Sequence, residues 1–238
     1  MNKTELKHIY DLNRALYEKV CEVSKELVKK VLQENKIEIL HLSTRVKSFE
    51  SFFEKISRKQ YVDPYGEVED ICGLRIVCFY SQDLGRINKI ISENFQLKEF
   101  EDKSGLQESD RFGYRANHYI VRLPQLSQYT ELDGLKIEVQ SRTTLMHTWA
   151  HIQGKLEYKK KEHIPENFRR KLYQLSAILE LADEQFQTLK NEKDDLRDQL
   201  ITGDFVFSDL TELNIDTFMS FSEIHFQDRS MNYRYSKL

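Results

Sequence analysis

The stretch KIEVQSRTTLMHTWAHIQGKLEYK, residues 136–159, joins a strand pattern directly to a helix pattern. Ile137 and Val139 alternate with polar residues, which is typical of a half-buried β-strand. Glu138 and Gln140 therefore fall on the opposite face of that strand. The stretch predicts a sheet whose polar face carries a carboxylate and an amide shortly before a helix begins.

Other apolar patterns predict the strands and helices around this stretch. The most continuous apolar run, ICGLRIVCFY at residues 71–80, predicts a buried central strand. Further strands are predicted over residues 37–48 and 117–123, and helices over residues 49–59 and 84–95. A chain that alternates in this way builds a mixed sheet covered by helices.

Two turn signals lie between these segments. Pro64 and Gly66 predict a turn within residues 61–70. Asp133-Gly134 is a dipeptide that favours a two-residue hairpin, and it leads into the strand at residues 136–140. We therefore expect a tight hairpin directly before the strand that carries Glu138.

Long amphipathic helices are predicted on both sides of the sheet domain, which spans residues 36–160. Residues 1–35 carry apolar side chains spaced by three, four or seven. Residues 161–200 carry a heptad-like stripe. Its members are Phe168, Leu172, Leu175, Leu179, Ala182, Phe186 and Leu189. The stripe can pack on the N-terminal helix or on a second subunit, and in the second case the protein is a homo-oligomer. Residues 201–238 have no predicted role.

The predicted fold class is therefore α+β, and the composition limits the classes of function. Charged residues make up 32% of the chain, and no apolar run approaches the ~20 residues of a membrane span. Three cysteines without a CxxC pair, and an N-terminus without a signal peptide, favour a reduced protein in the cytoplasm. A net charge of −3 argues against a general nucleic-acid coat protein. The C-terminal SKL is best explained as a chance match to a peroxisomal address.

A basic cluster follows the first predicted strand. Arg45, Lys47, Ser51 and Lys55 are joined by Arg58 and Lys59 within fifteen residues. If the segment is helical, Lys47, Ser51 and Lys55 share one face. Such a face suits a polyphosphate, although a solvated basic helix would show the same pattern. The chain has no P-loop, GxGxxG or zinc-ligand spacing that would suggest another nucleotide or metal site.

Two carboxylates stand at the edges of predicted strands. Asp70 directly precedes the strand at residues 71–80, close to Arg75, and Glu138 lies in the later strand. Asp70 can bind Mg²⁺ together with substrate phosphates, or it can cap a loop. Two acidic residues on adjacent strands would suit metal-assisted phosphate transfer.

Aromatic and histidine side chains mark a third region. In DRFGYRANHYIV, residues 110–121, Tyr114 can stack on a base, and Arg115 and His118 can donate to phosphate or ribose. A turn that leads into a strand and binds nothing would have the same sequence pattern. Trp149 is spaced from its apolar neighbours as on one helix face, so we expect it in the core.

Read in order, the motifs resemble those of the RelA/SpoT synthetase family. They are R-x-K-x-x-x-S-x-x-x-K from Arg45, D-x-x-G-x-R from Asp70, G-Y-x-x-x-H from Gly113 and E-V-Q-x-R-T-x-x-x-H-x-W-A from Glu138. The resemblance covers Ile39 to Lys159, and the flanking helices resemble those of the small, stand-alone alarmone synthetases. Four ordered motifs make a chance match improbable.

The resemblance implies a nucleotidyltransferase-like fold and a defined reaction. Members transfer pyrophosphate from ATP to the ribose 3′-hydroxyl of GTP or GDP, giving AMP and (p)ppGpp. By this resemblance Arg45 and Arg75 hold the adenine, while Lys47, Ser51 and Lys55 hold the ATP phosphates. Asp70 binds Mg²⁺, and Glu138 binds metal or takes the proton of the 3′-hydroxyl. Tyr114 stacks on guanine, His118 contacts the acceptor's phosphates, and Gln140 and His147 position the acceptor.

Three positions depart from the family's usual pattern. Asp110 stands where Lys is usual, Ala116 where Ser is usual, and Gly154 where His is usual. These changes concern the acceptor side. They leave open a toxin-like relative that transfers pyrophosphate to the 3′-CCA end of tRNA, for which the basic residues at 159–161 and 169–171 supply a surface.

A third possibility is a nucleotide sensor without catalysis, although both carboxylates are kept. The long members of the family also carry a hydrolase domain built on a His-Asp pair. No adjacent His-Asp occurs in this chain, so we expect that domain to be absent.

Overall fold

A computed structural model describes residues 2–102, 116–125, 128–156 and 165–202. The chain divides into two compact units, Met1–Glu184 and Gln185–Leu238. The first unit contains the sheet and the candidate active site. Within the described ranges, none of the helices combines the length and apolarity that a membrane crossing requires.

The centre of the first unit is a five-stranded mixed sheet in the order β1-β2-β5-β4-β3. Its strands are β1 (Ile39–Val46), β2 (Cys72–Cys78), β3 (Gln96–Asp102), β4 (Asn117–Arg122) and β5 (Ile137–Thr143). Strands β2 and β5 are parallel, and the remaining neighbours are antiparallel. The predicted α+β class with a mixed sheet is confirmed, and the run at residues 71–80 does form an interior strand.

Six α-helices and a short 3₁₀ turn surround these strands in the described residues. They are α1 (Lys3–Glu34), α2 (Phe49–Lys59), α3 (Pro64–Glu67), α4 (Gln82–Asn94), the 3₁₀ turn (Thr130–Leu132), α5 (Thr144–Leu156) and α6 (Glu166–Thr202). The helix predicted over residues 49–59 is confirmed, because Ser48 caps it and its apolar residues share one face. The predicted long helices at both ends of the chain are also present.

One face of the sheet packs against helices and forms the core. Helix α1 contacts β1, β2 and α4, and it contributes the fully buried Val20 and Val28. The sheet contributes alternate residues such as Leu74, Val139 and Tyr119, all buried. Because side chains alternate along a strand, the residues between them lie on the opposite face, where the polar groups collect.

Three local predictions need correction. Lys47 lies outside α2, since Ser48 adopts an extended N-cap conformation, so Lys47 shares no helical face with Ser51 and Lys55. The predicted turn at residues 61–70 contains a single helical turn, α3, which begins at Pro64.

The predicted two-residue hairpin before β5 is also wrong. Antiparallel β4 and β5 are joined by residues 123–136, a connection that includes the 3₁₀ turn. Gly134 does adopt a positive φ of 83°, so Asp133-Gly134 is a turn, but within a longer connection.

A smaller apolar cluster joins α5 to the first part of α6. Met146, Trp149 and Leu172 are buried together, which confirms the prediction that Trp149 is a core residue. Two members of the heptad-like stripe take part in this cluster, the buried Leu172 and the partly buried Leu179. Leu175, which lies between them in the stripe, is 48% exposed. Phe168, Phe186 and Leu189 are exposed as well.

Candidate active site

The strand register places polar residues from three strands in one row on the open face of the sheet. Arg45 of β1 lies opposite Gly73 of β2, and Gly73 lies opposite Glu138 of β5. A Cβ atom at Gly73 would lie 3.4 Å from Cγ of Arg45 and 3.6 Å from its Nε atom. Gly73 therefore keeps the space between the arginine and the carboxylate open.

The next row continues the same face. Arg75 of β2 lies opposite Gln140 of β5, and Gln140 lies opposite His118 of β4. The two rows border an open cavity with about 300 Å³ of empty space, its solvent-open mouth included. Its lining residues are Ser43, Thr44, Arg45, Gly73, Leu74, Arg75, Glu138 and Gln140.

Glu138 is a partly buried carboxylate held by two neighbours. Nδ1 of His118 lies 3.1 Å from its Oε1 atom, and Nε2 of Gln140 donates to its Oε2 atom at 2.9 Å. Burial acts to raise the pKa of Glu138, but the hydrogen bonds from His118 and Gln140 outweigh it, and the pKa lies below its ordinary value. Glu138 is consequently ionised at neutral pH and oriented by two hydrogen-bond donors.

Asp70 is held by two lysines. Nζ of Lys47 lies 2.8 Å from its Oδ2 atom, and Nζ of Lys55 lies 3.0 Å from its Oδ1 atom. Burial acts to raise the pKa of Asp70, but the two lysines outweigh it and hold the pKa below its ordinary value. Asp70 also acts to raise the pKa of Glu138, so the two carboxylates lie close enough to interact.

The backbone next to these groups is anchored from both sides. The N–H of Lys47 donates to the carbonyl of Ile71 at 2.8 Å, and the hydroxyl of Tyr10 donates to the carbonyl of Lys47. These bonds tie the start of α2 to the start of β2 and to α1. The approach of Lys47 to Asp70 is therefore a property of the fold and not of one flexible side chain.

Two arginines make the far side of the open face strongly cationic. Burial, and then repulsion from Arg45, lowers the pKa of Arg75. Burial, and then repulsion from Arg75, lowers the pKa of Arg142 to about 10. Both guanidinium groups remain charged at neutral pH, and the Nε atoms of both are buried without a hydrogen-bond partner in the described residues. Such a surface suits an anionic ligand.

His147 adds a titratable group close to these arginines. It lies on α5, which begins directly after β5, and its ring centroid is 4.5 Å from that of His151. Burial, and then the charges of His151 and Arg75, lower the pKa of His147. The imidazole is therefore neutral at neutral pH and can both donate and accept a hydrogen bond.

Comparison with known proteins agrees with this geometry. Residues 44–163 match the family model described as the region found in RelA / SpoT proteins. This chain belongs to the RelA/SpoT family. It is 30% identical over 160 residues to the GTP pyrophosphokinase YwaC of Bacillus subtilis, covering 66% of this chain and 76% of that protein.

Two further similarities concern the same organism. The GTP pyrophosphokinase YjbM of Bacillus subtilis is 31% identical over 151 residues, covering 62% of this chain and 70% of that protein. The crystal structure of small alarmone synthetase 1 from Bacillus subtilis, bound to its product pppGpp, superposes with a TM-score of 0.63. It is 28% identical, and the match covers 77% of this chain and 98% of that structure. The fold is therefore that of the stand-alone synthetases in the RelA/SpoT family.

The site residues expected from the RelA/SpoT resemblance fall into linked groups. The strand rows bring together Arg45, Arg75, His118, Glu138 and Gln140. Lys47 and Lys55 meet at Asp70, whose charge acts on Glu138, and the charge of Arg75 acts on His147. Ser51 lies in the first turn of α2, where its N–H donates to Oγ of Ser48 at 3.3 Å. Tyr114 lies outside the described residues, as does Asp110. The roles assigned to all of these residues stay predictions.

The structure also bears on two departures from the family's pattern. Ala116 is 5% exposed at the start of β4, so its methyl group is part of the core. A Cβ atom at Gly154 would meet no atom within 4 Å, so Gly154 leaves the packing unchanged.

Sequence reasoning missed the part that Arg142 plays. Arg142 is the arginine of the E-V-Q-x-R-T motif, but the resemblance gave it no role or partner. Alternation along β5 was the available signal, because it places Glu138, Gln140 and Arg142 on the same face. In the structure Nη2 of Arg142 donates to Oε1 of Gln140 at 3.0 Å.

Proposed function

We propose that this protein is a GTP pyrophosphokinase that transfers pyrophosphate from ATP to the 3′-hydroxyl of GTP or GDP, giving AMP and (p)ppGpp. The observation that carries this proposal is the convergence of Lys47 and Lys55 on Asp70, whose charge acts on the ionised Glu138 in the wall of an open cavity. Two relatives are named GTP pyrophosphokinases, and a similar structure holds pppGpp. The arrangement supplies both a site for a triphosphate and a base for a hydroxyl.

The donor side of the cavity suits ATP. Arg45 and Arg75 lie on neighbouring strands at its wall, where planar guanidinium groups can stack on adenine. Lys47 and Lys55 supply two cations to the phosphates, and Ser51 offers a hydroxyl from the first turn of α2. These groups would offset the charge that develops on the transferred pyrophosphate.

The acceptor side depends on Glu138. In the reaction the 3′-oxygen of the acceptor bonds to the β-phosphorus of ATP, and the bond from that phosphorus to the α,β-bridging oxygen breaks, releasing AMP. The proton of the hydroxyl must be taken up, and Glu138 is kept ionised by His118 and Gln140. We assign Glu138 the alignment and deprotonation of that hydroxyl. His147 and Tyr114 remain our candidates for holding the guanosine.

The donor set fits Mg²⁺ when a nucleotide is present. The described residues contain no group of three or more histidine, cysteine or acidic side chains placed for a metal. Mg²⁺ needs only one or two carboxylates when phosphates complete its shell, and the charge of Asp70 acts on Glu138. We propose that these two hold the ion, which would supply charge neutralisation to the pyrophosphate.

Two broader properties complete the proposal. The exposed apolar residues of α6 favour a homo-oligomer. All three cysteines are free thiols, which suits a reducing compartment such as the cytoplasm where we place the reaction.

The test is to incubate the protein with γ-³²P-ATP and Mg²⁺, and to offer GTP, GDP or deacylated tRNA in separate reactions. We expect label in guanosine tetra- or pentaphosphate, and a decrease of about 10²–10⁴-fold in kcat for Glu138→Gln. Glu131→Gln, which changes an exposed carboxylate before β5, is the matched control and should retain full activity.

Two other outcomes would replace the proposal. Label on the 3′ end of tRNA alone would identify the acceptor as tRNA, and the exposed Arg169, Arg170 and Lys171 would then be the surface to examine. Nucleotide binding without transfer to any acceptor would identify a sensor.

A further inference from the structure

Three side chains of one β5 face form a chain of hydrogen bonds that ends on the proposed base. Nη2 of Arg142 donates to Oε1 of Gln140 at 3.0 Å. Nε2 of Gln140 then donates to Oε2 of Glu138 at 2.9 Å. The residues are spaced by two along the strand, so the backbone itself brings them into line.

The direction of this chain depends on Arg142. A glutamine side chain can turn over and present either its oxygen or its nitrogen to a neighbour. Arginine only donates, so Arg142 can form a hydrogen bond to the oxygen of Gln140 but not to its NH₂ group. The NH₂ group is thereby directed at Glu138. If Gln140 turned over, its oxygen would face the Glu138 carboxylate and repel it.

Stability alone does not explain an arginine at this position. Arg142 is partly buried next to the like charge of Arg75, and its Nε atom has no hydrogen-bond partner in the described residues. No carboxylate lies within ion-pair distance of Arg142 among those residues. Partly burying a cation that has no ion-pair partner among those residues costs free energy, so we look for the reason in the hydrogen bond that the guanidinium donates to Gln140.

We propose that Arg142 is a positioning residue for pyrophosphate transfer, which acts by fixing the orientation of the Gln140 amide and through it the carboxylate of Glu138. The proposal rests on the proposed function of Glu138 as the group that receives the acceptor's proton. It assigns Arg142 no contact with substrate.

The test is a double-mutant cycle on kcat at saturating substrates. Arg142→Met keeps an unbranched side chain and removes the donors, and we expect kcat to decrease about 10–100-fold, as for other residues that orient an active group. Gln140→Leu should give a similar decrease. Because both changes break the same chain, the double variant should be no slower than Gln140→Leu alone.

A conservative variant and a control separate positioning from folding. Arg142→Lys retains one donor for Oε1 of Gln140 and should restore kcat to within about threefold of the wild type, since a single hydrogen bond is involved. Arg86→Met removes an arginine on α4 that donates to Asp83 and to the carbonyl of Asn35, and it should leave kcat unchanged. Decreases in kcat that multiply in the double variant would overturn the proposal. So would an increase in KM for ATP or GTP at unchanged kcat in Arg142→Met, which would mean direct substrate binding.

An NMR measurement tests the same proposal without turnover. In ¹⁵N-labelled protein the side-chain NH₂ signals of Gln140 are assigned by their loss in Gln140→Leu. We expect these signals to be shifted by the Glu138 carboxylate in the wild type, and to move to the positions of a free glutamine in Arg142→Met. If no pyrophosphate is transferred to any acceptor, the proposed function fails while this measurement still decides the hydrogen-bond chain. Unchanged Gln140 signals in Arg142→Met would refute it.

Discussion

The two proposed catalytic carboxylates are kept ionised by different means. Asp70 is paired with two cations, Lys47 and Lys55, whereas Glu138 is held by an imidazole and an amide. A carboxylate paired with ammonium groups is already compensated in charge, and one held by an amide is not. In the nucleotide-free protein Asp70 is therefore a weak ligand for a metal ion. We infer that the ATP phosphates must draw the lysines away before Asp70 binds Mg²⁺.

This exchange predicts that removing a lysine strengthens metal binding to the nucleotide-free protein. Lys55→Met leaves Asp70 with one cation, so its affinity for Mn²⁺, used in place of Mg²⁺, should increase about tenfold. Electron paramagnetic resonance of free Mn²⁺ measures the change. Lys25→Met, which removes an exposed lysine on α1, serves as the control. Equal affinities in Lys55→Met and the wild type would show that the lysines do not compete with the metal.

A second prediction at this scale concerns the proton of His147. Burial, and then the charges of His151 and Arg75, hold its pKa below the ordinary ~6.5. Replacing His151 by Gln removes one of these charges, so the pKa of His147 should increase. The ¹H–¹³C signal of the His147 ring, followed from pH 4 to 8, measures this. The control is His8→Gln, on α1, which should leave the pKa of His147 unchanged. An unchanged His147 pKa in His151→Gln would contradict the structure.

The same shift has a consequence for stability. A base whose folded pKa is lowered disfavours the folded state once it is protonated. The free energy of unfolding should therefore decrease as the pH falls through about 6.5 towards the lower pKa of folded His147, and it should stay decreased below that value. His147→Gln should remove this part of the decrease.

Helix α2 presents Ser51 and Lys55 to the site because aromatic residues hold its other face. Phe52 is fully buried, and its ring centroid lies 5.8 Å from that of Tyr10 and 5.1 Å from that of Tyr65. The Tyr10 hydroxyl in turn donates to the carbonyl of Lys47. The same cluster therefore supports both the fold and the position of the proposed phosphate-binding lysines.

Neighbouring phenylalanines in α2 give a matched test of this cluster. Phe52→Ala should lower the free energy of unfolding by about 3–5 kcal/mol, because it leaves a cavity in a closed core. Phe53, the next residue, is only partly buried, and Phe53→Ala should cost about 1 kcal/mol. Urea denaturation monitored by circular dichroism measures both. Similar losses in the two variants would mean that Phe52 does not anchor the helix.

Elements with a local signal could be predicted from the sequence, and elements that depend on distant partners could not. Strand β2 was predictable because a continuous apolar run admits few alternatives. Strand β3 was missed because residues 96–100 are all exposed, and their apolar members Leu97 and Phe100 do not alternate with polar residues. It exists through its pairing with β4 and the stacking of Phe100 on Tyr119, at 5.0 Å between centroids. The hairpin prediction failed because Asp133-Gly134 specifies a turn and not the length of the connection.

The candidate site shows the same division. The order of the motifs indicated which residues belong together, and alternation placed Glu138 on the polar face. The pairing of Lys47 and Lys55 with Asp70 was not predictable, because residues 23 and 15 positions apart meet only after β1 and β2 pair in one register. The sequence predicted that Lys47 and Lys55 lie close together, but for the wrong reason. They meet at Asp70 and not on one helical face.

At the scale of the whole molecule, α6 carries apolar side chains that the described residues of the chain leave uncovered. Within the first unit, Leu175 is 48% exposed and Ile178 is 61% exposed, beside the buried Leu172. Large apolar side chains that gather on one helix of a polar protein mark a contact with another protein. The heptad-like spacing suits a helix of a second copy, which supports the homo-oligomer proposed above.

This proposal predicts that a charge on the exposed apolar surface of α6, which includes Leu175 and Ile178, separates the subunits. Ile178→Glu would place a carboxylate in an apolar contact, and the desolvation cost should shift the protein to monomers in light scattering coupled to gel filtration. Ile178 is exposed within one chain, so Ile178→Glu should leave the folding of a single subunit unchanged. Any decrease in the urea midpoint should then equal the stabilisation that association gave the wild type. Gln174→Glu adds the same charge at an exposed polar position of α6 and should leave the assembly intact. If the wild-type protein is monomeric at all concentrations, the homo-oligomer is excluded and the exposed apolar residues of α6 contact a different partner.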